Sequence, residues 1–294
     1  MITAAWYLAT LLTVGAAASA RIVSHAPRWP TRVRRAALAA SVALLGLQFV
    51  RLWSQTRDAF GADAPLVWAQ VRIILAETPW GAGWHWQAGA SLLCLLVVVL
   101  WQSRWPLWVA AAVAASAAAF TTALTGHAVG MGEGVWQTVL AHGTHVVAAG
   151  WWIGTLVVLQ VVTMDADIGR DVQARLALGH AIERFSPTAI VAVCILVGAG
   201  MVATWHHVIG PVGFGGFASP YGLTLLTKIG AFAGAGLCGL YNWRVIRHRV
   251  AESEEAARQL RAMIWLEIAL GVMAVVLTAV LGTMEMPEPP GGGH

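Results

Sequence analysis

Long apolar runs, broken by short stretches where charge collects, organise this chain from end to end. A helix that crosses a bilayer takes roughly 20 mostly apolar residues. Eight runs approach or exceed that length, at about residues 3–20, 36–53, 87–101, 107–125, 136–162, 185–205, 221–246 and 264–283. The pattern predicts an all-α fold, a single transmembrane domain over residues 1–294 built as a polytopic bundle of about eight helices. One connection is long, residues 54–86. It carries Trp68, Trp80, Trp84 and Trp86, and its 67–75 stretch reads as a short helix at the headgroup level, where tryptophans anchor. Residues 284–294 form a short tail. Between 244 and 261, arginines mix with Glu252, Glu254 and Glu255, the mark of helices extended past the membrane. Composition agrees: 58% of residues are hydrophobic and 11% charged, which excludes an ordinary soluble core.

Charge fixes the expected orientation. Fourteen of the eighteen basic residues fall in alternate connections: Arg21, Arg28, Arg32, Arg34 and Arg35; Arg104; Arg170, Arg175 and Arg184; and Arg244, Arg247, Arg249, Arg258 and Arg261. The positive-inside rule makes these cytoplasmic and both termini outside, in the periplasm of a bacterial inner membrane. The net charge of +4 comes from this bias, and no folded basic patch implies nucleic acid. Ala18-Ser19-Ala20 resembles a leader-cleavage site. No basic residue precedes that run, however, and cleavage would strand five arginines outside, so the run is read as a retained first helix.

The chain has no Cys-x-x-Cys, no phosphate-binding glycine loop and no aspartyl-phosphate motif, which argues against an ATP-driven pump. Cys94, Cys194 and Cys238 lie on three separate spans and read first as small packing residues, second as soft-metal ligands. The histidines carry more. His85, His127, His142, His145, His206, His207 and His294 all sit at, or enter from, the outer side. His142 and His145, three apart, share one helix face. They lie roughly 9 and 14 Å along a helix starting near Trp136. Lipid satisfies neither ring nitrogen at that depth, so the rings face other helices or a wet cavity. Hydrogen bonding inside the bundle explains either alone; the pair, with His127 and His206 arriving at the same face, reads as metal ligands. Imidazole suits copper, zinc or iron, and thioethers select copper(I). Met131, Met284 and Met286 lie on the same side and favour copper over zinc.

Several motifs resemble one family. Residues Ala141-His142-Gly143-Thr144-His145 through Gly150-Trp151-Trp152-Ile153-Gly154 are similar to the signature helix of the CopD copper-resistance membrane proteins. Gly126-His127-Ala128, Arg184-Phe185-Ser186, Pro220-Tyr221-Gly222, Lys228 and Asn242 fit in order and spacing. Thr155 departs, standing where a second glycine is expected. The resemblance implies an eight-helix inner-membrane protein that moves copper, with a periplasmic copper carrier as a partner. The first reading is therefore a copper-handling protein, a carrier rather than an enzyme, that takes Cu+ or Cu2+ at His127, His142, His145, His206, His207, His85, Met131, Met284 and Met286. The second is a membrane redox protein in which His127, His142, His145 and His206 ligate haem b.

Other buried polar positions follow. Lys228, about eight residues into the seventh span, repels a metal cation and reads as a partner for an acid, a helix end or an anion. Arg51 is placed to snorkel outward. Glu267 is expected about a turn from the cytoplasmic end of the last span, against an arginine. Gly198, Gly200, Gly230, Gly234, Gly236 and Gly239 are expected to let the sixth and seventh spans pack closely. No inverted repeat relates the halves, which argues against rocking transporter folds.

Overall fold

A computed structural model describes residues 2–23, 29–61, 67–102, 105–125, 135–164, 171–210 and 213–284, apart from the side chains of Trp105, Val135, His206 and His207. The chain runs through α1 (Ile2–Ile22), α2 (Trp29–Phe60), a short α3 (Trp68–Glu77), α4 (Pro79–Trp101) and α5 (Trp108–Phe120), which tightens into a 3-10 turn at Thr121–Thr125. α6 (Val135–Ala149) passes through a π-helical turn, Gly150–Gly154, directly into α7 (Thr155–Thr163). α8 (Val172–Thr204) ends in a second π turn, Trp205–Ile209. α9 (Pro220–Tyr241) ends in a third, Asn242–Ile246, and α10 (Glu254–Leu281) completes the bundle. Counting α6 and α7 as one crossing, eight helices are long and apolar enough to span a membrane.

The helices begin where side chains can replace missing backbone partners. Thr78 accepts from the Gly81 N–H at 3.0 Å, Asp171 from Gln173 at 2.8 Å, and Ser219 from Gly222 at 3.0 Å. Pro79 and Pro220 then occupy the first helical position, where no N–H is needed. α2, α8 and α10 run past their apolar windows because the flanking residues are good helix formers once a helix is nucleated. The 54–86 connection is largely helical for the same reason, with α3 packed on α4.

α1 and the α6–α7 crossing are the most deeply buried spans. α1 packs against α2, α5, α7 and the Gly150–Gly154 turn. Gly15 and Gly154 meet backbone to backbone, and a Cβ on either would overlap main-chain atoms of the opposite helix. Gly150 seats against the Val14 side chain. The hydroxyls that α1 buries are satisfied within the helix: Thr10 donates to the Trp6 carbonyl, Thr13 to Ala9 and Ser19 to Gly15, at 2.9, 2.8 and 2.6 Å.

The glycines of the sixth and seventh spans behave otherwise than expected. α9 packs on α10, and no substantial contact joins α8 to α9. A Cβ on Gly198, Gly200, Gly230 or Gly236 would meet nothing within 4 Å, while Gly234 faces Leu270 and Gly239 faces Glu267, both on α10. Gly236 and Gly239 line a cleft between α8 and α9 instead of a tight crossing.

Candidate functional site

Two polar layers lie inside the bundle, one near the end where α6 begins and one deeper. In the first, α6 carries His142 and His145 on one face. The Tyr7 hydroxyl, on α1, is 3.3 Å from His142 Nε2, and the two rings meet edge to face at 6.3 Å. His142 and Lys228 both lie close enough to His145 to act on it electrostatically. Arg51, on α2, turns inward instead of snorkelling. Its guanidinium stacks 3.7 Å above the Trp6 ring and donates to Gln87 Oε1 at 3.1 Å and Thr125 Oγ1 at 3.3 Å. A cation held on an aromatic face by neutral acceptors needs no carboxylate. Gln48 extends the layer, its side-chain amide donating to Ser91 at 3.3 Å and its main-chain carbonyl accepting from the Trp84 indole at 3.0 Å.

The second layer centres on Glu267 of α10, which is 2% exposed and the one carboxylate buried among the described residues. The Trp152 indole, presented by the Gly150–Gly154 turn, donates to Glu267 Oε1 at 2.8 Å. Asn242, first residue of the third π turn, hydrogen-bonds the same carboxylate. α10 starts ten residues before the apolar run does, so Glu267 sits mid-helix, and its partners are an indole and an amide, not the arginine expected. π turns insert a residue into a helix and are concentrated at functional sites; here two of them aim polar side chains at one carboxylate.

Of the other histidines and methionines expected at the site, His85 lies in the first turns of α4, where its Nδ1 is 2.7 Å from the Gly81 carbonyl and its ring lies edge-on to Trp84. Met284 follows the end of α10, half-buried. His206 and His207 fall on the Trp205–Ile209 turn, their side chains outside the described residues. His127, Met131 and Met286 lie outside the described residues altogether. Among the described residues, no three His, Cys, Asp or Glu side chains gather as a metal cage. The structure thus brings together His142, His145 and Lys228. It adds Tyr7, which the sequence did not pick out, and gives Trp152 and Asn242, both quoted in the family motifs, a shared partner in Glu267.

Comparison with known proteins decides the family. Residues 1–139 match the copper resistance protein D-like N-terminal domain, and residues 179–281 match copper resistance protein D. The chain belongs to the CopD copper-resistance family. No curated protein and no solved structure gives a significant match. As a CopD protein it is a multi-pass protein of the bacterial inner membrane with a role in copper resistance. The first CopD match contains Tyr7 and Arg51; the second contains Cys194, Lys228, Asn242 and Glu267. His142, His145 and Trp152 fall between the two, on the helix that joins both layers.

Proposed function

We propose that this CopD protein takes copper from the periplasm at His142 and His145 and passes it into the membrane, with copper as cargo. His127, His206, His207, His85, Met131, Met284 and Met286 are the further donors at that end, and a periplasmic copper carrier is the partner that delivers the ion. The observation that carries this reading is the Tyr7–His142 contact. A neutral imidazole has one N–H and one lone pair. The Tyr7 hydroxyl at Nε2 fixes the orientation of the imidazole, as a partner behind a ligating histidine does. His145, one turn on, supplies the second imidazole.

Lys228, within electrostatic range of His145, and Arg51, within range of Tyr7, make this a poor place to keep a cation. That suits transfer, which requires a site that releases what it binds. The test is anaerobic titration of detergent-purified protein with Cu+ against a competing chelator, with an absorption spectrum of the same sample. The expected result is no Soret band, and loss of the tightest copper equivalent when His142 and His145 are both replaced by alanine. Undiminished binding in that variant, or a Soret band with stoichiometric iron, overturns the reading.

A further inference from the structure

We propose that the cleft between α8 and α9 is a second copper site, an inner stopping place with Glu267 and Asn242 as oxygen donors and Cys194 as the sulfur donor from the facing helix. This deepens the copper reading and rests on it. The cleft is a cavity of about 250 Å³, and all three residues line it. An ionisable side chain inside a membrane is costly and marks an ion path more often than a structural contact. Glu267 is such a group, and no lysine or arginine pairs with it among the described residues.

Three features hold the carboxylate ready for a cation. The Trp152 indole orients it from one side, at 2.8 Å from Oε1. Gly239 lets α9 approach the same carboxylate closely, since a Cβ there would stand 3.1 Å from that oxygen. Asn242 is 5% exposed, yet its Oδ1 has no hydrogen-bond partner. A buried acceptor without a donor calls for an explanation, and an ion is one of the few available. Cys238, one residue before Gly239, is within electrostatic reach of Glu267. Sulfur with oxygen donors, fewer than a full cage, holds copper loosely, as a transit site must.

Position and field agree. His142 and Trp152 are ten residues apart on one continuous crossing, so the two layers are roughly 15 Å apart. Lys228 and Arg51 lie at the histidine layer and the lone carboxylate at the deeper one. Such a field drives a positive ion from the first to the second.

The experiment uses the full-length protein, Cu+ as the probe and His142→Ala/His145→Ala as the background. That background retains one weaker Cu+ equivalent. Adding Glu267→Gln removes it, and adding Cys194→Ser weakens it at least tenfold. Glu267→Gln keeps an oxygen for Trp152 and the same shape; elution volume and thermal melting verify its fold. Should the background bind no copper while wild type binds one equivalent, the inner site is overturned and the copper reading stands. A residual equivalent indifferent to both added substitutions also overturns it. Wild-type protein that binds no copper at all removes both.

Discussion

A neutral histidine offers a metal one lone pair, and in this bundle the Tyr7 hydroxyl lies 3.3 Å from one of the two His142 nitrogens that can carry it. Tyr7→Phe keeps the ring and its packing against Trp6 but removes the hydroxyl. The expected outcome is copper binding about 10–100-fold weaker at unchanged stoichiometry, the usual effect of losing a partner behind a ligating histidine; competition titration measures it. Unchanged affinity would show that Tyr7 only packs. The sequence made His142 and His145 legible because their spacing of three is a local property of one helix. Tyr7 is 135 residues away from His142, and nothing local records that they meet. Glu267 was expected to meet an arginine for a related reason: its partner Trp152 is 115 residues away, and nothing local records that pairing.

At the scale of elements, glycine serves two opposite purposes. Gly15 and Gly154 bring α1 and the π turn into backbone contact, whereas Gly198 and Gly236 face open space. Leucine at Gly154 must displace α1, costing roughly 1–3 kcal/mol or more, as overpacking does. Leucine at Gly198 leaves stability nearly unchanged. Thermal melts of the two variants in detergent compare them, and equal losses would contradict the packing described here. Sequence could not separate these cases, because a glycine looks the same whether its missing side chain admits a neighbour or leaves a gap. The eight crossings were legible, since each is set by its own run of apolar residues. The partner of each crossing was not, and so α9 was assigned to α8 when it rests on α10.

For the whole molecule, the arginine bias predicts that both termini lie in the periplasm. Alkaline phosphatase fused to the C-terminus should be active and green fluorescent protein fused there dark, because each reports one side of the membrane. A bright fluorescent fusion reverses the orientation and, with it, the direction in which the two layers are met.

The Gly15–Gly154 crossing also sets a problem of timing. α1 is made early, but the surface it is shaped for emerges roughly 140 residues later, ~10 s or more at ordinary rates of synthesis. Meanwhile the helix must survive in lipid without that partner. Thr10, Thr13 and Ser19 carry their hydroxyl bonds inside α1 itself, so these three groups wait for no partner. One of the two most buried crossings of the finished bundle is thereby better equipped to stand alone during biogenesis.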